Sequence, residues 1–166
     1  HVISDSGAAL MIVDCQFIPA IEAVQDELEG LRRIVCYPSL PVRHRLDGRF
    51  ELVDFSGLPK ADDKPLLDPP QPSDLAAILY TSGTTGQSKG VMIHHAHAYE
   101  YSNCMAEALE LGPDDVYFAP LPLFHIAGQW AVVYAGLIAD ATVVLAEKFS
   151  VRAFWPTVAR YRANTT

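Results

Sequence analysis

The chemistry in this chain concentrates in one stretch, Tyr80-Thr81-Ser82-Gly83-Thr84-Thr85-Gly86-Gln87-Ser88-Lys89-Gly90-Val91, where hydroxyl side chains, glycines and a single lysine crowd together. Glycine accepts positive φ, so successive backbone N–H groups can converge on one concavity. Phosphate oxygens need such donors; Ser and Thr hydroxyls add more, and Lys89 adds a full positive charge. At ~4 Å and an effective dielectric of ~20, a lysine–phosphate charge pair gains about 4 kcal/mol before desolvation is subtracted. Two familiar phosphate loops do not fit. A Walker loop needs Gly-Lys-Ser/Thr, whereas Lys89 follows Ser88 and precedes Gly90. The dinucleotide fingerprint needs GxGxxG, and Gly83 and Gly86 lack its first glycine. A flexible turn with a solvated lysine is the bland alternative, and the ordering of the string argues against it.

Histidine offers a second set of candidates. His125 follows the apolar run Pro120-Leu121-Pro122-Leu123-Phe124, and spacing alone reads it as a core or helix-start residue. His94, His95 and His97 could share part of a helix face, but no Cys, Asp or Glu completes a ligand set at metal spacing, so the expectation there is structural.

The elements that must hold these residues alternate in type. Ala8 to Asp14 is a continuous apolar run ending in a carboxylate, the pattern of a buried strand. Ile18, Ile21, Val24, Leu28 and Leu31 recur at helical spacing and predict an amphipathic helix ending near Gly30 to Arg33. Ile34 to Tyr37 predicts a short strand, and from Pro38 to Asp74 the pattern dissolves into a proline-punctuated connection. Leu75 to Tyr80 predicts a strand leading into the loop, followed by a strand at Val91 to Ile93. A helix from about His95 to Leu111 comes next, then a strand at Val116 to Ala119, a helix from Phe124 to Ala139 and a strand at Thr142 to Ala146. Ser150 is placed to cap a last helix, in which Pro156 must either kink the chain or lie near the start. The expected fold class is α/β, layered, with an at least partly parallel sheet. The expected organisation is an α/β part over residues 1–55, a Pro-rich connection over 56–74 and a phosphate-loop α/β part over 75–166.

Composition narrows the field. Half of the 166 residues are hydrophobic and 19% are charged, a balance that excludes a disordered polymer. The net charge of −8 comes with no basic block, so neither a nucleic acid nor an anionic membrane has an electrostatic footprint here. An anion must therefore be held locally, by a loop. Cys15, Cys36 and Cys104 form no CxxC pair, which suits free thiols in a reducing, cytoplasmic setting. The longest apolar stretch, Ala131 to Ala146, is broken by Asp140 and is too short for a membrane span. The ends read as those of a segment cut from a longer protein.

With these residues in view, the sequence resembles the adenylate-forming superfamily: acyl-CoA synthetases, adenylation domains of peptide synthetases, and luciferases. The loop is similar to that family's TSGTTGxPKG signature, with Ser88 where proline is usual, and Phe124-His125 is similar to its FH motif. The resemblance covers essentially the whole chain and implies part of the large N-terminal domain. Phe149-Ser150-Val151-Arg152-Ala153-Phe154-Trp155, with Leu121 to His125, most resembles acid–CoA ligases of the crotonobetaine/carnitine type.

The resemblance implies that Thr81, Ser82, Gly83, Thr84, Thr85, Gly86 and Lys89 wrap the β- and γ-phosphates of ATP, with Thr81 a ligand to Mg²⁺. It implies that His125 contacts the acyl substrate and the nucleotide without transferring a proton. Phe124, Ile126 and Trp130 would wall an acyl pocket, although aromatic residues at this spacing also suit plain core. The implied reaction joins a fatty or other aliphatic carboxylic acid to CoA through an acyl-adenylate. No catalytic residue is assignable, and the segment alone is expected to be inactive, since a magnesium-holding glutamate, a ribose-binding aspartate and a lysine from a second domain have no counterparts here. A peptide-synthetase adenylation domain and a non-catalytic nucleotide-binding module are the alternatives. A serine hydrolase using Ser82 and His125 fails for want of a GxSxG elbow.

Overall fold

A computed structural model of the chain describes residues 1–41, 43–60, 68–81 and 86–166. The chain divides into two compact units, His1–Pro69 with Tyr80–Val91, and Pro70–Leu79 with Met92–Thr166.

The first unit opens with a short helix, α1 (Val2–Asp5). Its sheet has three parallel strands, β1 (Leu10–Asp14), β2 (Arg33–Tyr37) and β3 (Glu51–Asp54), in the order β1-β2-β3. The middle strand is the most apolar and the most enclosed: Ile34, Val35 and Cys36 are buried, as a strand flanked on both sides should be. Ile18 and Ile21 of α2 (Ile18–Val24) pack there with Leu28, Leu31, Leu46 and Phe50. The outer strands end alike. Asp14 Oδ1 accepts the Gln16 N–H at 3.0 Å and Asp54 Oδ1 accepts the Ser56 N–H at 2.9 Å, each opening a turn of 3₁₀ helix. The hydrogen bonds from the Ser56 hydroxyl and from the Leu40 and Ser56 N–H groups hold the Asp54 carboxyl below the ordinary carboxylate range.

Two expectations change here. The helix predicted to reach Gly30 ends as α-helix at Val24 and continues only as a 3₁₀ turn over Gln25–Glu27. The cause is tertiary. Gln25 Oε1 accepts the Asp47 N–H at 2.7 Å, its Nε2 donates to the Arg45 carbonyl at 3.3 Å, and its own carbonyl accepts from the Arg49 guanidinium. Leu28 and Leu31 still reach the core, from outside the helix. The second change is β3, which lies where no strand pattern was legible. Its four residues hold only two apolar side chains, and its place is fixed by pairing with β2 and by the cross-strand Arg33–Glu51 ion pair at 2.7 Å.

β4 (Leu75–Thr81) and β5 (Lys89–His94) form a two-stranded sheet. α3 (His95–Ala108) follows, packed against a π-helix (Ala127–Tyr134) that runs on into α4 (Ala135–Ile138). In the second unit Ile93, Ala98 and Trp130 form a buried cluster with Leu79, Tyr101 and Tyr134 against it. Ser102 is fully buried yet satisfied, its hydroxyl donating to the Ala98 carbonyl at 2.8 Å. β6 (Val116–Tyr117) and β7 (Thr142–Val143) pair in parallel, each shorter than predicted. The helix expected from Phe124 begins after it, so Phe124 and His125 stand in the turn ahead of the π-helix. α5 (Val151–Tyr161) starts as predicted at Ser150, whose hydroxyl accepts the Ala153 N–H at 3.3 Å, and it continues through Pro156. The observed fold is the expected α/β class with a parallel sheet. Among the described residues no helix is long and apolar enough to cross a membrane. Cys15, Cys36 and Cys104 are free thiols, and burial is the first cause pushing the Cys36 thiol up.

Candidate functional site

The glycine-rich segment is built from strand ends. Thr81 is the last residue of β4 and Lys89 the first of β5, and both are exposed. Ser82, Gly83, Thr84 and Thr85 lie outside the described residues. Gly86 sits at φ +125°, a conformation that L side chains rarely adopt, so the glycine is required by the backbone and not by crowding. The residues flanking the segment are tied within the first unit. The Tyr80 hydroxyl donates to Asp5 Oδ2 at 2.6 Å, and the His1 ring Nε2 donates to the Ser88 carbonyl at 2.9 Å. Neither partner was legible in the sequence, because the bonds join residues far apart in the chain.

The second motif is organised around the start of the π-helix. His125 is exposed, and its Nδ1 accepts the Ala127 N–H at 3.1 Å, so the ring caps the helix and the proton of the neutral imidazole belongs on Nε2. The His125 N–H donates to the Pro122 carbonyl at 3.0 Å, closing the turn. Gly128 locks that turn in place. A Cβ there would stand 2.3 Å from the Pro122 carbonyl oxygen, so only glycine lets the helix lie on the Pro122 backbone. The same applies at Gly136, where a Cβ would meet a Val143 methyl at 2.2 Å.

Phe124 is 88% exposed and Trp130 only 9%. They border different concavities of the second unit. Trp130 lines a groove of about 450 Å³ with Leu123, Gln129, Val133, Tyr134 and Leu145. Phe124 lines a pocket of about 140 Å³ with Pro120, Pro122, Glu147, Lys148 and Phe149. Ile126 is half-buried against the Ile93–Ala98–Trp130 cluster, and His125 borders neither concavity. His95 and His97 stand on the first turn of α3 and His94 just before it; among the described residues no group of His, Cys, Asp or Glu could hold a metal ion.

Comparison with known proteins gives these parts a context. The profile of the AMP-binding enzyme family matches residues 1–166. A crotonobetaine/carnitine–CoA ligase of Escherichia coli (strain SE11) is 35% identical over 167 aligned positions, which cover 99% of this chain and 32% of that protein. The crystal structure of ATP-bound MatB from Rhodopseudomonas palustris is 27% identical, with a TM-score of 0.71 over 96% of this chain and 30% of that one. For o-succinylbenzoate CoA synthetase (MenE) from Bacillus subtilis, in complex with the acyl-adenylate OSB-AMP, the likeness is one of fold: 22% identity and a TM-score of 0.66, over 99% of this chain and 50% of that one. The chain spans about a third of the length of the curated relatives it matches.

Proposed function

The chain belongs to the AMP-binding enzyme family, and from that premise we propose that the full-length protein is an ATP-dependent acid–CoA ligase acting on an aliphatic carboxylic acid. The observation that carries the reading is the strand–loop–strand segment, in which a required positive-φ glycine, Gly86, stands between the exposed Thr81 hydroxyl and the exposed Lys89 ammonium. The names borne by the relatives, CoA ligases, support CoA as the acceptor.

In the first step a carboxylate oxygen attacks the α-phosphorus of ATP, the bond to the bridging oxygen breaks, and pyrophosphate leaves. Negative charge grows on the departing phosphates. In our reading Thr81, Ser82, Gly83, Thr84, Thr85, Gly86 and Lys89 meet that charge with hydroxyl, amide and ammonium donors, which stabilise it. In the second step a thiol sulfur attacks the acyl carbon and AMP leaves. Mg²⁺, a hard cation suited to oxygen ligands, would supply positive charge against the departing phosphates. The exposed Thr81 hydroxyl would be the protein group that holds it. His125 presents an Nε2–H donor to an oxygen of the substrate or nucleotide. Trp130, with Leu123 and Tyr134 along its groove, supplies apolar surface for the acyl group, and Phe124 borders a separate pocket.

The test is acid-dependent exchange of labelled pyrophosphate into ATP by the full-length protein, over a panel of aliphatic acids, followed by detection of the CoA thioester. Exchange that needs the acid, a thioester that needs CoA, and loss of both in Lys89→Ala are expected. Exchange with no thioester would make the acceptor something other than CoA. Unchanged turnover in Lys89→Ala and Gly86→Val would end the phosphate-loop reading.

A further inference from the structure

The segment proposed to hold phosphate is fastened at both ends to one short helix. Tyr80, immediately before Thr81, donates its hydroxyl to Asp5 at 2.6 Å, and the Ser88 carbonyl, immediately before Lys89, accepts from His1 at 2.9 Å. The His1 and Tyr80 rings meet edge to face, with centroids 6.3 Å apart. Asp5 ends α1 and His1 precedes it, so a helix of four residues brackets the loop. All of these residues lie in the first unit.

The physical effect of such bracketing is preorganisation. A glycine-rich loop with free ends must lose conformational freedom when a ligand orders it, and that loss subtracts from affinity. Of the two fastenings, the phenol–carboxylate bond is the stronger, because its acceptor is charged. The hydrogen bond to Asp5 is also the first cause raising the Tyr80 phenol above its usual value, so the hydroxyl remains a donor.

We propose that Asp5 and Tyr80 act as a positioning pair, fixing where Thr81, the residue after Tyr80, stands and thereby the affinity of Thr81 and Lys89 for the β- and γ-phosphates of a nucleoside triphosphate. Neither residue touches the phosphates. The inference rests on the phosphate-loop reading above and deepens it.

The test compares ATP with AMP, which lacks the two outer phosphates, by equilibrium titration of the full-length protein. Tyr80→Phe keeps the ring against His1 and removes only the hydroxyl; Asp5→Ala removes the acceptor. Each is expected to weaken ATP roughly three- to tenfold, the effect of losing one ordinary exposed hydrogen bond. AMP binding should stay within about twofold, and the double variant should bind ATP no more weakly than the poorer single one, as coupled partners do. Asp5→Glu should recover part of the loss. Unchanged ATP affinity, parallel losses for ATP and AMP, or single effects that multiply in the double variant would each overturn the pairing. Lys89→Ala separates the two levels: if it weakens ATP while Asp5→Ala does not, the pairing falls and the phosphate loop stands. If Lys89→Ala leaves ATP affinity unmoved, both fall.

Discussion

Replacing Gly128 by alanine tests how the Pro122–His125 turn is held. The added Cβ would lie 2.3 Å from the Pro122 carbonyl oxygen, 2.7 Å from its carbonyl carbon and 3.0 Å from the Leu121 oxygen. Ordinary contact begins near ~3.4 Å, so the turn and the π-helix must part by roughly 1 Å. The obstructing atoms are backbone and cannot swing aside as a flexible side chain would. Overpacking of this kind costs about 1–3 kcal/mol. In a helix without such a neighbour the same exchange would gain about 1 kcal/mol, so the sign of the effect is itself diagnostic. Gly48→Ala is the control, since nothing lies within 4 Å of its Cβ position and its φ is ordinary. Thermal unfolding of the full-length protein should show Gly128→Ala melting roughly 2–6 °C below Gly48→Ala. Because the shift moves His125, the KM for the acid should rise as well. Equal melting temperatures and an equal KM in the two variants would refute the argument that this glycine sets the turn.

Three further outcomes follow from the geometry. Asp54 binds its proton less readily folded than unfolded, so the stability it contributes is fully present above the ordinary carboxylate value of about 3.9 and is lost as pH falls through its lowered folded value; urea midpoints measured from about pH 6 downward should fall more steeply for wild type than for Asp54→Ala. Removing the His125 ring should cost about 1 kcal/mol of helix capping, and His125→Asn, whose amide oxygen can accept the Ala127 N–H, should recover much of that stability in urea unfolding without recovering substrate affinity. Gly136→Ala should destabilise by about 1–3 kcal/mol through the Val143 methyl, and Val143→Ala in the same chain should relieve part of it, a coupling that a double-mutant cycle reads directly.

The parts of the fold legible in the sequence are those whose signals are local. β1, β2 and β4 centre on apolar runs, α3 starts at His95 as predicted although it ends at Ala108 and not at Leu111, and Ser150 announces α5 through its own hydroxyl. What escaped is set by partners distant along the chain. Gln25 leaves its helix because residues 45–49 claim its side chain and carbonyl, and β3 is a strand because β2 offers it an edge. The candidate site divides the same way. Hydroxyls, glycines and Lys89 identify the loop by type and spacing, but Asp5 gives no local sign of reaching Tyr80. Gly128 gives none of lying against Pro122, since a glycine in an apolar helical run looks merely permissive.

The aspartates that close β1 and β3 act as mechanical stops. Asp14 stands opposite Tyr37 and Asp54 opposite Cys36, at the last rung of each ladder. Carrying either outer strand one position further would pull the next residue out of its 3₁₀ turn, break the bond the aspartate receives from the amide two residues on, and turn every side chain to the wrong face. The sheet therefore has one workable alignment, guarded at both flanks by a charge that water and local N–H groups favour and a strand interior does not.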